Sequence, residues 1–163
     1  MRDCWLKGVA SLFNSSQIPG EILDLTVVRT DVLARPDGAG QKFAKALSGA
    51  WYEMLSQMSN DKVLAAIAEG SQDSLASYKE QLSTTKMFYT PKEAAEFGAS
   101  PGMKQTMALV RQFCFDHGLL GANTKSVDEV AIRYPDGTVQ GKADRVRLVF
   151  DAGYMRMAAE GKL

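Results

Sequence analysis

The fold of this chain is decided by the stretch SSQIPGEILDLTVV, residues 15–28. A polar loop, a Pro-Gly turn and an apolar segment follow one another within these fourteen residues. Residues 23–28 are predicted to form a buried strand, because apolar and β-branched residues dominate them and turn residues precede them. Loops of this composition that lead into a strand often line ligand clefts.

Length and charge bound the class of protein. The 163 residues fit one domain, and nineteen Lys and Arg balance nineteen Asp and Glu. A formal net charge of zero predicts no nucleic-acid partner and favours a small ligand that is uncharged or locally complementary in charge. Cys4 and Cys114 lack the spacing of a zinc site or a disulfide framework and are predicted to be free, buried thiols. The first residues lack the apolar stretch of a signal peptide, and no apolar run reaches the length of a membrane span.

Helices are predicted through the middle of the chain. The strongest covers residues 41–58, where apolar residues at steps of three and four predict one core-facing stripe. That stripe consists of Phe43, Leu47, Ala50, Trp51, Met54 and Met58. Shorter helices are predicted to begin at the capping residues Thr30 or Asp31, Asn60, Asp73, Thr90 and Ser100.

Strands are predicted towards the end of the chain, at residues 130–134, 138–140 and 145–150. A Pro-Asp-Gly turn separates the first two, which predicts a hairpin, and a last short helix is predicted over residues 151–160. Strands so few and so short do not build a closed sheet. The sequence therefore predicts a helix-rich α/β fold, with helices packed on part of a sheet.

Catalytic chemistry finds little support. The single histidine, His117, lies three residues after Cys114 at the end of a predicted helix, where capping is favoured over a catalytic Cys-His pair. No phosphate loop and no metal-binding motif is present, so neither a catalytic residue nor a metal nor a cofactor is predicted. Four scattered basic residues are predicted to be solvated: Lys104, Arg111, Lys125 and Arg133.

The best candidates for ligand binding lie in the loop, at Ser15, Ser16, Gln17 and Glu21. Their hydroxyls, amide and carboxylate offer hydrogen-bond donors and acceptors to a small polar ligand. The alternative is a capped turn, with Ser15 or Ser16 as N-cap and Glu21 at the surface. The sequence leaves both interpretations open.

Three segments carry a resemblance to a known family: SSQIPG at 15–20, KALSGAWYE at 45–53 and MFYTP at 87–91. Together they resemble the C-terminal half of substrate-binding proteins of nitrate/taurine/sulfonate-type ABC transporters, most of all the urea- and amide-like members. The resemblance covers roughly residues 12 to 150. It implies a type II periplasmic-binding-protein fold, in which two α/β lobes close on a small polar nitrogen- or sulfur-containing solute. It also implies a periplasmic full-length protein that meets the membrane only through its permease subunit.

Under this resemblance, residues 1–22 would end the second lobe, residues 23–29 would form a hinge strand, and residues 30–163 would return to the first lobe. The family's N-terminal strands, most of its second lobe and its export signal have no counterpart here, so a truncated protein is predicted. One alternative is an enzyme of the same fold similar to thiamine pyrimidine synthases, which use a histidine, a cysteine-rich motif and pyridoxal phosphate. The cysteine-rich motif is missing. The other alternative is a non-functional truncated product that exposes an apolar face.

Overall fold

A computed structural model describes residue 12, residues 17–18 and residues 22–163. In this part of the chain it contains seven α-helices and three short β-strands. The helices are α1 (Thr30–Leu33), α2 (Ala39–Ser56), α3 (Asp61–Gly70), α4 (Leu75–Ser83), α5 (Pro91–Gly98), α6 (Pro101–Asp116) and α7 (Gly153–Ala159). The strands are β1 (Ala131–Arg133), β2 (Val139–Gln140) and β3 (Val146–Val149). The predicted helix-rich α/β class is confirmed.

Side-chain caps begin three of the helices as the sequence predicts. Asn60 at α3, Thr90 at α5 and Ser100 at α6 each accept a hydrogen bond from a backbone N–H two or three residues further on, at 3.0–3.3 Å. Each bond satisfies one of the N–H groups that a helix start leaves without a partner inside the helix. These helix starts are therefore encoded locally.

Two predicted caps are wrong although their helices form. Ser74 rather than Asp73 caps α4, because the Asp73 carboxylate instead accepts a hydrogen bond from the Ser74 N–H at 2.7 Å. At α1 neither Thr30 nor Asp31 is the cap. Arg29 holds that position without a side-chain cap bond, and its guanidinium binds the Asp31 carboxylate at 2.9 Å.

The sheet has β1 at its centre, in the order β2-β1-β3. The predicted hairpin is confirmed, since β2 pairs antiparallel with β1 and places Gln140 opposite Ile132. Strand β3 pairs parallel with β1 on the other side and places Leu148 opposite the same Ile132. Ile132 is consequently buried between two strands.

Apolar side chains gather in two separate clusters. The first, called the sheet cluster, lies between α6 and the sheet and has Met103, Met107, Ile132 and Tyr134 at its centre. Leu23, Phe97, Leu148 and Phe150 pack against it. The second, called the helical cluster, has Leu55, Met58 and Leu64 at its centre, with side chains of α2, α3 and α4 packed around them.

The predicted buried strand over residues 23–28 is wrong. The structure places these residues in no helix or strand, none of them forms a backbone hydrogen bond with another described residue, and no described strand pairs with them. Leu25 is 51% exposed and Val27 is 75% exposed, whereas Leu23 is half-buried. An apolar pattern predicts an extended backbone, but a strand also needs a neighbouring edge to pair with.

The predicted core stripe of α2 is wrong along most of its length. Phe43 is 63% exposed, Leu47 is 40% exposed and Trp51 is 50% exposed. Of the stripe, only Met58 is buried, and it lies just beyond the end of α2, while Met54 is half-buried. The large buried side chain of α2 itself is Leu55. Trp51, predicted to be a core residue, lies at the surface instead.

Small residues explain which side of α2 is buried. A Cβ atom on Gly40 would lie 1.9 Å from the carbonyl oxygen of Val32, so only glycine allows α1 to pack so closely on α2. Ala44 is buried on α2 as well. Gly and Ala contribute little to a hydrophobic pattern, and the larger residues beside them therefore dominate the prediction.

Candidate functional site

The predicted ligand loop is described only at Gln17. This residue lies in a short turn, and its side chain is exposed. Ser15, Ser16 and Glu21 lie outside the described residues, so the structure does not test whether the four side chains come together.

The chain that leaves this loop runs into the sheet cluster through Leu23. Phe97 and Met103 of the same cluster also line a depression of about 260 Å³ at the corner between α5 and α6. Ser100 and Thr106 add hydroxyl groups to its lining. Its volume lies just below the range of about 300–1,000 Å³ that is typical of drug-sized ligand sites. The depression adjoins the cluster in which Leu23 packs.

A second depression, of about 290 Å³, lies between α5 and α7 and is lined by charged residues. Its Lys92 lies 4.0 Å from Glu96, and its Glu160 lies 2.6 Å from Lys162. The hydrogen bond from Lys162 holds the pKa of Glu160 below its usual range. These are exposed ion pairs with local partners, and such pairs contribute little to stability or to a preformed binding site.

Arg111 is not solvated as predicted but buried, with 8% of its surface exposed. Its Nε donates to the Val130 carbonyl at 2.8 Å, and its Nη2 donates to the Val127 carbonyl at 2.8 Å. Asp128 lies 3.4 Å from the same Nη2 and is about half exposed. The guanidinium thus joins α6 to the chain that enters β1, which is a structural role.

The spacing of residues along α6 could have predicted that Arg111 is buried. Met103, Met107 and Arg111 follow one another at steps of four, so they share one helix face, and all three are buried. An arginine at the end of an apolar row is consistent with a stem that packs in the core while its head finds acceptors. A count of charged residues that ignores their position on the helix does not identify Arg111 as buried.

Lys104 is also wrongly predicted to be solvated. Its side chain is 27% exposed, and its Nζ lies 2.5 Å from Asp136 in the hairpin turn. The Gln140 amide donates to the Lys104 backbone carbonyl at 2.8 Å, and the Tyr134 hydroxyl donates to Gln140 at 2.6 Å. Burial raises the pKa of Tyr134, which keeps this phenol protonated as a donor. The network fixes the hairpin on the N-terminal half of α6.

The capping role predicted for His117 is confirmed. His117 is the C-cap of α6, its Nδ1 lies 2.9 Å from the Phe113 carbonyl, and its ring stacks on the Phe113 ring at 4.0 Å. Cys114 is a free thiol but only half-buried rather than buried as predicted, and Cys4 lies outside the described residues. No hydrogen bond joins Cys114 to His117 in the described part of the chain. This arrangement ends a helix and does not activate a thiol.

Within the described residues, no group of three or more His, Cys, Asp or Glu side chains is placed to hold a metal ion. No helix in the same part of the chain combines the length and the apolar character that crossing a bilayer requires.

Comparison of the chain with protein-family models, with curated proteins and with solved structures finds no match in any of the three. Function is therefore inferred from the residues and from the geometry described above.

Proposed function

We propose that this chain is the C-terminal part of the solute-binding component of an ABC importer. The full-length protein would capture a small polar nitrogen- or sulfur-containing solute in the periplasm and deliver it to a permease subunit. The proposal is supported by the order of loop, extended segment and helix over residues 15–53, which resembles that of the nitrate/taurine/sulfonate-type binding proteins. It assigns the chain no catalytic role.

One structural observation carries the proposal. Residues 23–28 lie in no helix or strand and form no backbone hydrogen bond with another described residue, and they expose Leu25 and Val27. Backbone without hydrogen-bond partners that carries exposed apolar side chains can pair with the edge of a sheet. Such a segment is expected when a companion part of the same protein supplies the sheet edge that it pairs with.

The proposed site is one wall of a cleft, formed by Ser15, Ser16, Gln17 and Glu21. Two hydroxyls, an amide and a carboxylate recognise a solute through hydrogen bonds rather than through positive charge. Arg29 is the first basic residue after the loop, and its guanidinium is already bound to Asp31 at 2.9 Å. The site therefore favours an uncharged amide- or urea-like solute over a sulfonate, which would select for free guanidinium groups.

Calorimetry on a fusion tests this function. The chain is joined to the N-terminal half of a similar binding protein and titrated with urea, acetamide, taurine and nitrate. We expect binding of urea or acetamide, and Ser16→Ala should weaken it by about fivefold, because one hydrogen bond contributes about 1 kcal/mol.

Ser83→Ala is the matched control, since this hydroxyl donates to the Glu80 carbonyl of its own helix at 2.7 Å. It should leave the affinity unchanged. Equal affinities for the parent and for variants at Ser15, Ser16 and Glu21 would remove the loop from the site. A folded fusion that binds none of the four solutes would contradict the proposed function.

A further inference from the structure

Helix α2 presents an apolar patch that no described residue covers. It consists of Phe43, Ala46, Leu47, Ala50 and Trp51, all of which are exposed. Phe43, Leu47 and Trp51 are large and follow one another at steps of four residues, and Phe43 and Trp51 are aromatic. Exposed aromatic and aliphatic side chains grouped on one surface mark interaction sites, and aromatic residues commonly dominate the binding energy at interfaces.

Two charges on one flank of the patch indicate what binds there. Lys42 lies near its start and Glu53 near its end, and both are exposed. Neither forms an ion pair within the described residues. They are separated by roughly three helical turns and project to directions only about 20° apart. One flank therefore carries a positive charge at one end and a negative charge at the other.

This arrangement is complementary to itself. An interface with two-fold symmetry brings the same surface of both copies together in opposite directions. The midpoint between Phe43 and Trp51 falls at Leu47, and the midpoint between Lys42 and Glu53 falls half a residue further on. An antiparallel pair centred there brings the charged flanks of both copies to the same side of the interface and aligns opposite charges. A parallel pair places the two flanks on opposite sides of the interface and pairs none of these charges.

We infer that α2 binds a second copy of this chain, with the two α2 helices antiparallel about Leu47. Phe43 of each copy packs beside Trp51 of the other, and Lys42 of each copy pairs with Glu53 of the other. This inference does not depend on the proposed solute-binding function. One helix face buries less than the roughly 1,600 Å² of a standard interface, so the expected dissociation constant is micromolar or weaker.

Sedimentation velocity over a range of protein concentrations tests the inference on the full chain. Lys42→Glu and Glu53→Lys should each raise the dimer dissociation constant by about tenfold, because each change faces like charges across both symmetric contacts. The double variant, Lys42→Glu with Glu53→Lys, restores opposite charges and should return the constant to within about threefold of the parent. Non-specific association through an apolar patch gives no such rescue.

Two control variants separate this interface from its alternatives. Lys45→Glu makes the same charge change on α2, further round the helix from the patch, and should have little effect. Leu47→Glu should abolish the dimer, whereas Leu109→Glu, at a 69% exposed leucine on α6, should not. A monomer at all concentrations, equal effects of Leu47→Glu and Leu109→Glu, or a double variant no tighter than the single ones would overturn the inference. Solute titration of the fusion is a separate measurement, so either proposal can fail alone.

Discussion

Helices α2 and α6 each bury one face and expose apolar side chains on another, yet they are held in different ways. On α6, the Lys104 side chain binds the hairpin turn and the Arg111 side chain binds the chain before β1. The Lys104 backbone carbonyl accepts a hydrogen bond from Gln140 of β2. No side-chain hydrogen bond or ion pair joins α2 to another element in the described part of the chain. Directional contacts therefore fix the position of α6, whereas α2 is fixed by apolar packing and by the close contact at Gly40.

The contrast has a consequence for function. A helix fixed by polar contacts has an assigned neighbour, and α6 belongs to the sheet. Helix α2 has a buried side that holds it in place and an exposed side with aromatic residues and unpaired charges. We therefore place the proposed dimer contact on α2, where exposed aromatic side chains lie beside charges without an ion-pair partner among the described residues.

The largest expected effect tests which side of α2 is buried. Leu55→Ala should lower the free energy of unfolding by about 3 kcal/mol, because it removes a buried side chain from the helical cluster. Leu47→Ala makes the same chemical change at a 40% exposed position on the same helix and should cost less than about 1 kcal/mol. Urea unfolding followed by circular dichroism measures both. Equal losses of stability would contradict this orientation of α2, because they would mean that Leu47 is packed as closely as Leu55.

The next prediction concerns the anchor of α6. Arg111→Ala should lower the free energy of unfolding by about 2 kcal/mol, because two backbone carbonyls lose a charged donor and the arginine stem leaves the core. Arg147→Ala, at an exposed position on β3, is the control and should change stability by less than about 0.5 kcal/mol. If the two variants were equally stable, the contact between Arg111 and the entry to β1 would be incidental.

The parts of this fold that could be predicted are those encoded locally. Asn60, Thr90 and Ser100 each cap a helix through a residue two or three positions away, and the Pro-Asp-Gly turn lies within its own hairpin. Such interactions are fully contained in a short stretch of sequence.

The parts that could not be predicted depend on distant partners. Residues 23–28 have the pattern of a strand, but a pattern does not provide a neighbouring edge. The burial of Arg111 depends on carbonyls sixteen and nineteen residues away. At the candidate site Gln17 is exposed, and the roles of Ser15, Ser16 and Glu21 stay predictions.

A smaller effect is expected where Arg111 meets the chain after β2. Gly141 has φ +93°, and a Cβ atom there would lie 2.7 Å from Nη2 of Arg111 and 3.1 Å from the backbone of Ala131. Gly137 also has a positive φ, +84°, but a Cβ there would meet nothing within 4 Å. Both Gly→Ala variants incur the strain of a left-handed backbone, and Gly141→Ala should cost about 1 kcal/mol more because of crowding. Thermal unfolding compares the two, and equal midpoints would show that Arg111 gives way freely.

The smallest effect is a pH dependence at the other end of the α6 anchor. The Lys104 ammonium, followed by two hydrogen bonds from Thr138, lowers the pKa of Asp136 well below its usual range. A carboxyl whose pKa is lower in the folded state stabilises the protein at pH values above its unfolded pKa of about 3.9. This contribution to stability is lost as the pH falls below that value. Between pH 5 and pH 2.5, Asp136→Asn should therefore lose less stability than the parent, as measured by urea midpoints.

Asp144→Asn, at an exposed carboxylate 4.0 Å from Arg145, is the control and should follow the parent. If the pH profile of Asp136→Asn matches that of the parent, the ion pair between Lys104 and Asp136 stabilises the hairpin no more than an ordinary exposed ion pair does. The difference in anchoring between α6 and α2 would then depend on Arg111 and Gln140 alone.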